Sequence, residues 1–200
     1  MLLALTIALV VLFRIFVFQS FKIPSESMLP TLKVGDYILV DKFFYGANLP
    51  KFFVGLTPSR KPQRNDVVVF DVRPGFEELV QGNNANEHFI KRIIGLPGET
   101  IEIKNFQAYI NGVFSDLEQV IVSTDPNISE LHHGNYGPVT LQDNQYFVLG
   151  DNRMNSKDSR YFGPVALEDI EGKAFIIYWS WNAGSRYGSV RWERVAKLIN

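Results

Sequence analysis

The stretch Phe89-Ile90-Lys91-Arg92-Ile93-Ile94-Gly95-Leu96-Pro97-Gly98-Glu99-Thr100-Ile101-Glu102-Ile103 reads as strand, turn and strand. Its first arm is β-branched and aromatic apart from two basic residues. Leu96-Pro97-Gly98 supplies the turn. In strand alternation Phe89, Lys91 and Ile93 face one way, and Ile90, Arg92 and Ile94 the other. Each basic side chain therefore shares a face with apolar neighbours, and at least one face is expected to be buried. Burial disfavours the charged form of a lysine, so it loses its proton more readily. Lys91 is thus a candidate general base near neutral pH. The same residues also suit an edge strand that carries charge against aggregation.

Strand signals continue on both sides of this stretch. Tyr37 to Val40 follows a Gly35-Asp36 turn, and Val67 to Phe70 follows Asn65-Asp66. Ala108 to Ile110 reaches Asn111-Gly112, a strong hairpin signal. Tyr146 to Leu149 stops at Gly150-Asp151-Asn152, and Ala174 to Trp181 is again β-branched and aromatic. Short strands between Gly, Pro and Asn turns predict a mainly β fold, a sandwich or barrel. A helix is expected only after Ser189, where Trp192, Val195 and Ile199 recur at i, i+3 and i+7. Residues 46–64 and 116–143 read as surface insertions.

The 200 residues are 46% hydrophobic with a net charge of −1, but the apolar residues are unevenly spread. Seventeen of the first 21 are hydrophobic, and Arg14 is the one charge among them. Leu2 to Phe18 just reaches the roughly 17–25 residues that a spanning helix needs. A cleaved secretory signal would want basic residues ahead of the apolar run, and there are none. A core helix apolar on all sides is unusual in a domain this small. The reading is an N-terminal transmembrane anchor over residues 1–21. Arg14 and Lys22, on its C-terminal side, run against the charge bias expected for an exported domain. The remainder has an ordinary globular composition, enough for one domain with a core. Disordered, coiled-coil and polytopic chains are excluded. Near-neutral charge leaves no whole-chain footprint for nucleic acid. The absence of cysteine excludes disulfides, thiolate metal sites and a cysteine nucleophile.

Two more islands are dense in reactive residue types. Ile23-Pro24-Ser25-Glu26-Ser27-Met28-Leu29-Pro30-Thr31-Leu32 places two serines at i, i+2 between prolines. The prolines bias Ile23 and Leu29 towards extended backbone. That suits a positioned nucleophile, and a Ser/Pro linker has the same composition. Gly150-Asp151-Asn152-Arg153-Met154-Asn155-Ser156-Lys157-Asp158-Ser159-Arg160 follows an apolar strand directly. It reads either as a buried polar network, if every group is paired, or as a solvated loop.

In this order, after an apolar helix, PSESMLPTL, FIKRIIGLPGE and GDNRMNSKDSR resemble the bacterial type I signal peptidases. Asn65 to Phe70, Gly172-Lys173-Ala174 and Trp179-Ser180-Trp181 are similar to family segments too. The resemblance covers nearly the whole chain. It implies a membrane-anchored Ser–Lys hydrolase that removes signal peptides from exported proteins. Ser27 would be the nucleophile and Lys91 the general base. Ser156 would hydrogen-bond and orient the Lys91 amine. The Ser25 hydroxyl and the Ser27 N–H would form the oxyanion hole. Arg92, Asp151, Asp158 and Arg160 would be the buried charge scaffold behind the lysine. Glu26 stands where the family often has glycine, and Met154 where a polar or acidic residue is usual.

The chemistry fits these residue types. A serine hydroxyl needs a base during attack, and lysine serves only if its pKa falls by several units. A hydroxyl such as Ser156 orients an amine without favouring its charged form, as a carboxylate would. The implied substrate carries small residues at positions −1 and −3 in an extended strand. Ile23, Pro24, Met28, Phe89 and Ile90 are the candidate walls of its binding site. Phe43, Phe44, Tyr45, Phe52 and Phe53 are candidates for an aromatic face at the bilayer interface.

The implied organisation is an anchor over 1–21, a catalytic core over 22–103 and 146–200, and a small inserted β subdomain over 104–145. A monomer in the bacterial inner membrane is expected, with the catalytic domain on the outer side. No metal or cofactor is expected, and His132-His133 reads as a solvated pair. Rival readings are a relative specialised for one substrate, an anchored inactive β-domain that binds signal peptides, and a self-cleaving Ser–Lys regulator. The three polar residues Ser27, Lys91 and Ser156 argue against the inactive domain. An apolar N-terminus in place of a DNA-binding domain argues against the regulator.

Overall fold

The computed structural model describes residues 6, 18–45, 60–71, 88–116, 134–182, 184 and 188–200. Their fold is mainly β, in two sheets whose strand pairings are all antiparallel. The larger sheet is ordered β1-β2-β11-β3-β4-β9-β10. Its strands are β1 (Phe18–Lys22), β2 (Asp36–Asp41), β3 (Val67–Asp71), β4 (His88–Gly95), β9 (Gln145–Leu149), β10 (Val165–Ala166) and β11 (Ile170–Asn182). Two short strands, β12 (Ser189–Val190) and β13 (Lys197–Leu198), pair with β11. The 13-residue β11 is the spine, contacting both β2 and β3.

The second sheet is ordered β7-β6-β5-β8. It comprises β5 (Thr100–Lys104), β6 (Gln107–Ile110), β7 (Val113–Phe114) and β8 (Tyr136–Thr140). The expected Asn111-Gly112 hairpin joins β6 to β7. Both turn residues have positive φ, 52° and 80°, the geometry that matches the twist of a tight hairpin. The small sheet begins at Thr100, so the expected subdomain boundary at 104 falls on the last residue of β5. The apolar pattern of β5 resembles that of the core strands, which is why the sequence reading merged them.

Alternation builds the core. Val67 and Val69 pack with Ile23, Met28, Ile38, Val40 and Ile177. Val68 and Phe70, on the opposite face of the same strand, pack with Ile93, Tyr146, Val148 and Ile170. A third cluster of Ile94, Ile101, Ile103, Leu141, Phe147 and Leu149 joins the two sheets. Every residue of β4 from Lys91 to Gly95 is buried, so the basic pair sits in an interior strand and not at an edge.

Two sequence expectations are corrected. Phe18 to Phe21, at the end of the expected anchor, belong to β1, paired with β2 from Phe18↔Asp41 to Lys22↔Tyr37. Among the described residues no helix is long and apolar enough to cross a membrane; residues 1–5 and 7–17 lie outside those described. The C-terminal helix is instead β12, a single 3₁₀ turn over Trp192–Arg194 and β13. Ala196 takes a left-handed φ of 62°, which ends any helical run. Trp192, read as the start of an apolar stripe, is 70% exposed.

Arg194 carries a different role. It is buried and donates through Nε and Nη2 to the fully buried Asp36 carboxylate, with Nε to Oδ1 at 3.0 Å. The Ser180 hydroxyl (2.6 Å) and the Lys33 N–H (2.8 Å) complete the shell around Asp36. Burial alone would raise the Asp36 pKa, but these donors and the Arg194 charge outweigh it and hold the carboxyl below its ordinary value.

Candidate active site

The nucleophile candidate lies in a turn between β1 and β2. Its backbone is held locally by Leu29 N–H to Glu26 O (3.1 Å) and Leu32 N–H to Met28 O (2.8 Å). Met28 and Leu32 are fully buried and pin this turn to the core. Met28 is therefore not a wall of the binding site, as the sequence reading had it. A second clamp comes from far along the chain. Asn152 donates its N–H to Ser27 O (3.1 Å) and its side-chain amide to Glu26 O (3.2 Å). Gly150 permits the approach, because a Cβ there would lie 2.5 Å from Ser27 O and 2.2 Å from the Ser156 hydroxyl.

Against this turn β4 presents Lys91. Its Nζ donates to Ser27 Oγ at 2.8 Å and to Ile90 O at 2.8 Å. Lys91 is 4% exposed and Ser27 8%. Burial pushes the Lys91 pKa down to about 8, while the Asp158 and Asp151 charges act in the opposite direction. Both carboxylates are already engaged by arginines. Arg92 grips Asp151 through Nε and Nη2, each at 2.8 Å. Arg160 grips Asp158 through Nε (2.8 Å) and Nη2 (2.9 Å). Asp158 also caps the short helix α1 (Ser159–Phe162) and accepts from Gly150 N–H at 3.0 Å. The third island is thus a buried network and not a solvated loop. Its pairings, unreadable in sequence, set the amine apart from direct carboxylate contact.

Ser25 Oγ lies 3.4 Å from Ser27 Oγ. The Ser27 N–H makes no hydrogen bond among the described residues. Ser156 is buried beside the pair, but its hydroxyl has no hydrogen-bond partner among the described residues and makes no bond to Lys91. The amine is oriented instead by the Ile90 carbonyl.

The pair opens onto a cleft of about 620 Å³. Ile23, Pro24, Phe89 and Ile90, four of the candidate wall residues, line it. His88, which by sequence could compete with Lys91 as a base, lines it too, as do Asn155 and Lys157, missed as polar residues outside the apolar pattern that guided the sequence reading. Thr31, which donates to Asp151 at 2.6 Å, was missed as well. So was Arg153, fully buried, whose Nε donates to Gly150 O at 3.0 Å. Tyr45 does not face a bilayer: it is buried and donates its hydroxyl to Asp66 at 2.7 Å. Phe44 packs on the core, and Phe52, Phe53, His132 and His133 lie outside the described residues.

A buried serine, a lysine whose charge burial disfavours and an adjoining cleft stand together here, and the chain is similar to known proteins. The family model described as "Signal peptidase, peptidase S26" matches residues 1–179. A Synechocystis sp. protein named "Probable signal peptidase I-2" is 37% identical over 83% of this chain and 65% of its own length. The signal peptidase I of Leptolyngbya laminosa is 36% identical over 89% of this chain and 77% of its own length. That of Pseudomonas aeruginosa is 34% identical over 86% and 69%. The chain thus spans just under two thirds of the first of these relatives and somewhat more of the other two. With the match reaching across both sheets and all three islands, the chain belongs to the signal peptidase family, peptidase S26, a family of serine peptidases.

Proposed function

We propose that the protein is a membrane-anchored endopeptidase that removes N-terminal signal peptides from exported preproteins, with Ser27 and Lys91 as its dyad. The observation that carries this is the 2.8 Å contact between Lys91 Nζ and Ser27 Oγ, buried at the wall of a cleft. In the neutral state the Lys91 lone pair takes the Ser27 proton as Oγ attacks the scissile carbonyl. The resulting oxyanion is received by the Ser27 N–H and the Ser25 hydroxyl. The Lys91 ammonium then returns the proton to the leaving amine. A water molecule, deprotonated by the same lysine, hydrolyses the acyl-enzyme.

The substrate strand lies along β4, with small residues at −1 and −3 against Ile23, Phe89 and Ile90. The apolar N-terminus serves as the anchor, and the catalytic domain works on the outer face of a bacterial inner membrane. Near-neutral signal-peptide segments suit a cleft whose walls are chiefly apolar.

The test is incubation of the full chain in detergent with a preprotein carrying an Ala-X-Ala site. Mass spectrometry is expected to show one cut, after the second alanine. No cut, or a cut at unrelated sites, would overturn the reading. Activity should rise with pH through about 8, because the amine must lose its proton before it can act as a base. A pH–rate profile that climbs only near 10, the ordinary lysine range, would contradict a desolvated base. Ser25→Ala removes one oxyanion donor and should lower kcat by roughly 10²-fold with little change in KM. Equal kcat in the variant would exclude that role.

A further inference from the structure

On the larger sheet, where His88 lines the cleft, Asp71, His88 and Glu171 converge. Asp71 and His88 are directly paired across β3 and β4. Glu171 comes from β11, at the bulge where the register shifts between Ile170 and Gly172. A bulge re-aims the side chain it carries, and here the carboxylate meets the other two groups. His88 Nδ1 lies 2.8 Å from Asp71 Oδ1 and 3.0 Å from Glu171 Oε1. The imidazole is held edge-on to Phe21, with ring centres 5.0 Å apart. His88 itself lines the cleft.

The hydrogen-bond arithmetic of this cluster does not close. Nδ1 carries at most one hydrogen, yet two carboxylate oxygens face it. The second Glu171 oxygen is buried with no hydrogen-bond partner among the described residues. Burial raises the Glu171 pKa, with the Asp71 charge adding to the effect, while His88 and Lys42 act in the opposite direction. Lys42 donates to Gln19 Oε1 at 3.0 Å and, among the described residues, makes no hydrogen bond to the cluster. One nitrogen and two carboxylate donors, their ligand atoms all within 4.8 Å of one another, suit a first-row dication.

We propose that Asp71, His88 and Glu171 form a divalent-cation site of the zinc type beside the cleft that His88 lines. Imidazole Nδ1 in its neutral form and one oxygen from each carboxylate are the protein ligands, and water completes the shell. A bound dication replaces the single shared hydrogen with two positive charges, which balance the two carboxylates. It also ties β3, β4 and β11 together beside the segment that leads to Lys91.

The test is isothermal titration of Zn²⁺ into the chelator-treated full chain in detergent. One equivalent is expected to bind. His88→Ala and Glu171→Gln should each weaken it by about tenfold or more. Asp71 is exposed, so Asp71→Asn serves as a third variant should either of the others fail to fold. Zn²⁺ should also raise the melting temperature of the wild type and leave that of Glu171→Gln unchanged. A His132→Ala/His133→Ala double variant should bind as the wild type does. Absence of stoichiometric binding would overturn the site. So would unchanged affinity in the cluster variants, or affinity lost in the double variant. The readout is metal binding, so its outcome is independent of the peptidase reading.

Discussion

Lys91→Met is expected to lower kcat/KM for an Ala-X-Ala preprotein by about 10³-fold or more. Methionine preserves length and apolar packing in a position that is only 4% exposed, so the fold should tolerate it. It removes the lone pair 2.8 Å from Ser27 Oγ, and among the described residues no other base is hydrogen-bonded to that hydroxyl. Ser27→Ala should fall as far, since the covalent step is lost. The double variant should be no worse than either single one, because the two residues act as a unit. Steady-state cleavage of one preprotein by all three variants decides the matter. Near-full activity in Lys91→Met would remove lysine from the mechanism. His88, the other nearby candidate base, is hydrogen-bonded to Asp71 and so is engaged elsewhere.

Arg194→Met should destabilise the protein by about 3–5 kcal/mol, the cost of leaving a buried carboxylate without its cation. Asp36 is fully buried, and Arg194 is its closest charge partner. Arg191 lies farther off, 3.8 Å from the same carboxylate, and donates to Val34 O. Replacing Asp36 and Arg194 together by apolar residues should cost much less than the single change. The pair also sets a pH dependence with a definite sign. The folded-state pKa of Asp36 is lowered, so its contribution is fully present above the ordinary carboxylate range. It is lost as the pH falls through the lowered value. Urea unfolding at pH 7 and at pH 3 should show a smaller wild-type advantage over the double replacement at pH 3. An equal advantage at both would show that the pair does not titrate with folding.

The strand pattern was legible because alternation and turn residues are local. Val67 to Phe70, Tyr146 to Leu149 and the Asn111-Gly112 hairpin each announce themselves within a few residues. The helix expected after Ser189 shows the limit of such signals. Spacing of i, i+3 and i+7 is weak evidence when one member, Trp192, faces solvent and Arg194 is drawn inward by a partner 158 residues away. Ser27 and Lys91 are proposed as the dyad on the resemblance of whole motifs and not on local physics, which left linker and edge-strand readings open. What no local pattern carries is pairing. That Arg92 takes Asp151 depends on how β4 meets the loop after β9, whereas Arg160 takes Asp158 only two residues away. The cluster of Asp71, His88 and Glu171 was hidden for the same reason, since three separate strands contribute one residue each.

The clamp that Asn152 places on Glu26 and Ser27 has a consequence for safety. Serine and lysine meet across 64 residues, and the clamp reaches across 126. An extended chain holds every reactive group and yet no arrangement of them. On the proposed mechanism, hydrolytic power arrives together with the completed tertiary structure. A peptidase built this way is chemically inert while it is being made, and becomes a cutting tool only once it has ceased to be an easy substrate itself.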